Sequence, residues 1–177
     1  VAYDPRFFDI IGPNATVEQL QVLPFQVHEA PCYIKETNSL FFIEWGPSPE
    51  GDNKDHDWQY LLDLSTNNLT RIKTNPPTWN IHGCVYRDGK LHVVTDGGPS
   101  ESAYLATIDP ITLERKTILN NYYERPFMSF NDLEIDREGN YYLTDSYSGW
   151  VSEVPETNQP HDPDLTETDT THTGPRP

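Results

Sequence analysis

The sequence predicts an all-β protein assembled from a repeated four-stranded unit. Three observations carry that expectation: apolar residues fall in short aromatic-rich runs, no run keeps a helical period, and one pattern recurs along the chain. Hydrophobic residues make up 35% of the 177 positions and aromatics 12%, while the mean hydropathy is −0.69. Such a chain concentrates its apolar material in short clusters, which suits half-buried strands.

The elements follow in order. Residues 1–24 mix turn signals such as Gly12-Pro13-Asn14 with one short polar-apolar run at 17–23, and read as a lead-in strand or extended arm. Strand-like runs then occupy residues 40–43, 58–62, 91–95, 103–108 and 141–144. None holds a 3.6-residue apolar period over three turns.

The internal repeat organises these runs. Copies beginning at Glu29, His82 and Asn131 each read as strand, tight polar turn and second strand, ending at Glu44, Asp96 and Asp145. The second and third turns, Arg87-Asp88-Gly89-Lys90 and Arg137-Glu138-Gly139-Asn140, place glycine where a hairpin needs a positive φ. Asn38 takes that role in the first copy. A further hairpin follows each of the first two copies, at 58–64 with 69–74 and at 104–108 with 115–119. A period of about 50 residues with four strands per unit is the pattern of a β-propeller blade. Residues 25–150 thus read as a partial propeller of two complete blades and the first hairpin of a third. Residues 151–177 are rich in Pro, Thr and acids, and from 155 on carry one large aliphatic, Leu165, and no aromatic. That segment is expected to be a disordered tail.

The formal net charge of −16 disfavours nucleic acid and anionic membranes as partners, because both repel an acidic chain at long range. No stretch approaches the roughly 18 apolar residues of a membrane span. The triplets Asn14-Ala15-Thr16 and Asn68-Leu69-Thr70 permit N-glycosylation, and with them an extracellular location is expected. With no CxxC pattern and no Cys/His cluster at zinc spacing, Cys32 and Cys84 are read as buried free thiols, although two cysteines suffice for one disulfide.

The chemistry-bearing residues stand at the openings of the three copies. In a propeller the first strand of each blade lines the central channel, so Glu29, His82 and Asn131 converge on its mouth. A carboxylate, an imidazole and a carboxamide there make an oxygen-rich cation site with a base beside it, and Asp132 adds a second acid. Taken singly, each has a plain structural role: His82 beside Gly83 as a turn residue, Asn131-Asp132 as a turn cap, Glu29 as surface charge. Their repetition in register is what points to a site.

The residues Glu29-Ala30-Pro31-Cys32-Tyr33, followed by Leu40-Phe41-Phe42-Ile43-Glu44-Trp45, resemble the Glu-x-Pro-x-Trp and Leu-x-Phe-x-Asp opening of the gluconolactonase, senescence marker protein and luciferin-regenerating enzyme family. Phe130-Asn131-Asp132-Leu133 with Asp136-Arg137-Glu138-Gly139 is similar to that family's Asn-Asp signature, and the whole resembles its fungal lactonohydrolases. The resemblance implies a six-bladed propeller with Ca²⁺ or another divalent cation at the channel mouth, acting on a small-molecule lactone. It implies Glu29 and Asn131 as metal ligands, Asn131 also as a substrate contact, and His82 or Asp132 as the catalytic base. Asn80-Ile81-His82-Gly83 is also similar to the Asn-Pro-His-Gly of paraoxonases.

Two departures bear on these expectations. Ser129 stands where some members carry a substrate-binding Arg. The remaining metal ligands of the family lie in blades that this sequence lacks, so a truncated chain with an incomplete metal site, weak Ca²⁺ binding and slow lactone hydrolysis is expected. Uncovered blade faces imply self-association. The alternative is a non-catalytic propeller used for binding.

Overall fold

The computed structural model describes residues 3–44, 58–97 and 101–146. A short helix, α1 (Phe7–Ile11), precedes two four-stranded antiparallel sheets. The first comprises β1 (Cys32–Ile34), β2 (Ser39–Ile43), β3 (Gln59–Asp63) and β4 (Asn68–Ile72) in sequential order. The second comprises β5 (Ile81–Arg87), β6 (Lys90–Thr95), β7 (Tyr104–Ile108) and β8 (Arg115–Leu119), again in order. A small hairpin, β9 (Asn121–Tyr122) with β10 (Arg125–Pro126), leads to a third hairpin, β11 (Phe130–Ile135) with β12 (Tyr141–Asp145). The all-β, antiparallel class read from the sequence is therefore present, and every repeat copy forms a hairpin.

Turn chemistry sets the registers. Arg87 pairs with Lys90 across a two-residue loop in which both Asp88 (φ 50°) and Gly89 (φ 76°) are left-handed. A two-residue loop with both φ positive matches the right-handed twist of the strands it joins. Asn38 (φ 49°) serves the first hairpin and Gly139 (φ 91°) the third.

Period-two alternation then decides which face each residue covers. Phe41 and Ile43 of β2 join Leu91 and Val93 of β6 and Tyr104, Ala106 and Ile108 of β7 in one core between the two sheets. Their neighbours turn the other way: Val94 and Leu105 pack with Phe130, Leu133 and Ile135 of the third hairpin. Phe42 packs with Tyr60 and Leu62 on the far face of the first sheet. The second sheet is thus sandwiched between its neighbours, and the first strands β1, β5 and β11 lie side by side.

Of the lead-in strand or extended arm read at residues 1–24, the extended arm is what 15–23 form: they pair with no strand among the described residues, the Asn67 side chain donates to the Leu20 carbonyl at 2.8 Å, and Leu23 and Phe25 cover the outer face of the first sheet. The helix α1 was not legible, because five residues cannot show a helical period. Most consequentially, Cys32 and Cys84 are not free thiols. They form a disulfide, Cα to Cα 5.9 Å, that ties β1 to β5. The cysteines occupy nearly equivalent places in two repeat copies, so packing equivalent strands side by side brings the sulfurs together. The tail expected at 151–177 lies outside the described residues.

Candidate functional site

The three copy openings sit at one end of the adjacent first strands, each aimed by a local irregularity. Glu29 precedes β1; its carbonyl accepts from the Ile43 N–H at 3.2 Å, and the His28 N–H donates to the Ile43 carbonyl at 2.9 Å. The next residue, Ala30, is buried with φ at 58°, a left-handed conformation costly for a residue with a Cβ. Strain of that kind persists only where the surroundings fix it. His82 sits at a register shift between Ile81 and Gly83, and Asn131 and Asp132 at a shift between Phe130 and Leu133. An extra residue in one strand re-aims the side chains at the bulge, and here it occurs at the same place in two copies.

Glycine at position 83 lets the copies approach. A Cβ there would stand 2.9 Å from Leu133 Cδ2 and 3.0 Å from the Asp132 Cα. The result is a cleft of about 290 Å³ lined by Glu29, His82, Asp132 and Glu134 together with strand backbone. The lining includes no Lys or Arg. Asn131 stands beside this cleft, exposed at the opening of β11, but is not among the lining residues. A larger depression of about 520 Å³ lies near the β5–β6 turn against Lys35, Glu36 and Arg87. Its Glu36 carboxylate accepts the Tyr86 hydroxyl, and none of the copy-opening residues reaches it.

Behind the cleft is a polar relay that sequence reasoning missed. His82 Nε2 lies 2.9 Å from Asp96 Oδ2, and both side chains are about nine-tenths buried. The Ser129 hydroxyl donates to the other oxygen of Asp96, and the backbone N–H groups of Met128 and Ser129 donate to Asp145 at 3.1 and 3.0 Å. Thus Ser129 helps to hold the partner of His82. On the other side, the His28 ring meets the His82 ring edge to face at 5.3 Å between centroids. Burial is the main influence lowering the His28 pKa, assisted by the neighbouring His82 and opposed by Asp96, so His28 is held toward its neutral form. The signal for Asp96 was present in the repeat: the three copies end on acids, Glu44, Asp96 and Asp145, of which Glu44 accepts the Tyr60 hydroxyl at 2.8 Å. For His28 no pattern existed, because its counterparts in the other copies are not histidine.

An antiparallel all-β chain whose repeated first strands deliver acids and an imidazole to one cleft belongs to the class of proteins that carry a polar site at converging strand ends. No family model matches the sequence, and no solved structure matches it. Curated proteins do. Lactonohydrolase oryL of Aspergillus oryzae is 35% identical over 155 residues, covering 82% of this chain and 34% of the relative. Lactonohydrolase oryH of the same organism is 29% identical over 124 residues, covering 67% of this chain and 25% of the relative. The chain belongs to this lactonohydrolase-like family, and it spans about a third or less of the length of the relatives it matches.

Proposed function

We propose that the chain is a sector of a β-propeller that hydrolyses a lactone with the help of a divalent cation. The observation carrying this proposal is that three successive repeat copies bring Glu29, His82 and Asp132 to one cleft in a chain of lactonohydrolase-like sequence. In this proposal two blades and the first hairpin of a third are present, and segments equivalent to the rest of the relatives supply the others.

The donor chemistry of the cleft fits Ca²⁺: carboxylates of Glu29, Asp132 and Glu134 line it, hard oxygens of the kind that ion takes in sets of six to eight. Glu29 holds the ion, with Asn131 at the adjoining opening available to ion or substrate. When bound, the cation polarises the lactone carbonyl and offsets the charge that develops on its oxygen. His82 accepts a proton from the attacking water as the new C–O bond forms, and returns it to the ring oxygen as the ester C–O bond breaks, giving an open-chain hydroxy acid. Asp96, 2.9 Å from Nε2, fixes the orientation of the imidazole. Asp132 is the second acid at the mouth and the alternative base.

The Cys32–Cys84 disulfide supports an oxidising, extracellular setting, and the exposure of Asn14 and Asn68 suits glycosylation there. Among the described residues no helix is long and apolar enough to cross a membrane.

The test is a pH-stat assay of lactone hydrolysis by this chain and by a form carrying the additional length of the relatives, each with Ca²⁺ and with chelator. The longer form should turn over in a Ca²⁺-dependent way and lose that activity in Glu29→Gln; this chain should be slow. Full activity in chelator, together with an unaffected His82→Ala, would refute the proposal.

A further inference from the structure

Beside the cleft, sharing Glu29 and His82 with it, lies a donor set of a different kind. His28, Glu29 and His82 each present a ligand atom, and these atoms all lie within 4.8 Å of one another. Their side chains are partly to largely buried, 18%, 41% and 11% exposed respectively, so an ion reaching them would leave most of its water behind. We infer that these three residues form a site for a borderline divalent cation such as Zn²⁺, and that the ion inhibits the reaction proposed above.

The chemistry of the donors selects the ion. Two imidazoles and one carboxylate suit Zn²⁺ and its neighbours, whereas Ca²⁺ gains little from nitrogen. Three protein ligands with an open fourth position is a common way to hold Zn²⁺, and all three are present in this chain. Tetrahedral ligands about 2.0–2.1 Å from a metal stand about 3.4 Å apart. With the ligand atoms all within 4.8 Å of one another, the remaining approach is at most about 1.4 Å, within the reach of side-chain rotation.

The surroundings are those of a built site. A ligating histidine generally has its other ring nitrogen on a carboxylate or carbonyl; Asp96 meets His82 Nε2 at 2.9 Å and is itself held by the Ser129 hydroxyl. His82 then offers Nδ1. The two sides of the site are also fixed relative to each other, because the disulfide joins Cys32, three residues after Glu29, to Cys84, two residues after His82. His28 and Glu29 are clamped to β2 through Ile43.

An ion at this position ties up the His82 imidazole and competes for Glu29. The inhibitory consequence rests on the lactonase reading; the binding does not. Glu29 serves either ion, so imidazole variants distinguish the two.

The experiment titrates this chain, disulfide intact, with Co²⁺ as a spectroscopic stand-in and with Zn²⁺ by calorimetry. One Co²⁺ per chain should appear with the intense visible absorption of a low-coordinate site and be displaced by Zn²⁺. His28→Ala and His82→Ala should each weaken affinity at least tenfold, and Asp96→Asn by about 10–100-fold. Asn131→Ala should leave it unchanged. His28→Gln and His82→Gln, checked by near-ultraviolet circular dichroism, replace any alanine variant that does not fold. Absence of binding by the folded chain, or binding unchanged in both folded histidine variants, overturns the site. In a lactonase-active form, Zn²⁺ should inhibit and His28→Ala should relieve the inhibition; Zn²⁺ binding without inhibition overturns the inhibitory role. Absence of any lactonase activity refutes the functional reading while the cobalt spectrum still reports on the site.

Discussion

Opening the Cys32–Cys84 disulfide should cost this fold about 4 kcal/mol. The bond closes a loop with a sequence separation of 52, and the loss of chain entropy for a loop of that size gives about 4 kcal/mol at room temperature. That figure is an upper bound, because a compact denatured chain has less freedom to lose. The bond also joins β1 to β5 inside the core shared by the two sheets, where Cys32 is only 4% exposed. Serine replacements would add the penalty of burying a hydroxyl, so the cleaner perturbations are reduction of the native chain and the double Cys→Ala variant. Urea unfolding followed by circular dichroism, with and without a phosphine reductant, reads the difference. A drop of about 2–4 kcal/mol is expected. Two titratable thiols in the non-reduced native chain, or equal stability of oxidised and reduced forms, would refute the cross-link and with it the reason given for the fixed spacing of Glu29 and His82.

Other outcomes follow from the same packing. Gly83→Ala places a methyl 2.9 Å from Leu133 and Val94 side-chain carbons and 3.0 Å from the Asp132 backbone; a loss of about 1–3 kcal/mol in urea unfolding is expected, and a neutral result would show that β5 and β11 do not approach so closely. Arg115 grips Glu101 through two hydrogen bonds of 2.6 and 2.8 Å and holds its carboxyl below the ordinary 4.5. A depressed pKa contributes stability that is present above about 4.5 and lost as pH falls through the folded value; Glu101→Gln should therefore flatten the acid limb of a stability-against-pH curve, and an unchanged limb would count against the pair. The outer face of the third hairpin exposes Tyr142 to 60%. Sedimentation of this chain should show concentration-dependent self-association, which a Tyr142→Ser variant reduces.

The fold was legible where local chemistry speaks. Asp88-Gly89 names its own turn, alternation in residues 91–95 and 104–108 assigns the two faces, and three similar copies announce a repeated unit. The site was legible only in part. Glu29, His82 and Asn131 could be aligned as the opening residues of the copies, with Asp132 next to the last, and the structure gathers Glu29, His82 and Asp132 at one cleft while leaving Asn131 beside it. What the alignment did not convey was the company each would keep.

The class of fold, the hairpins and their turns, and the kinship with lactonohydrolases are written locally in the chain, in patterns a few tens of residues long. That Cys32 meets Cys84, that His28 leans on His82, and that Asp96 and Ser129 stand behind them is a product of packing. Those contacts join residues that are 14 to 54 positions apart. They exist because whole sheets stack face to face with their first strands adjacent, and periodicity within one strand carries no information about what the next sheet sets against it.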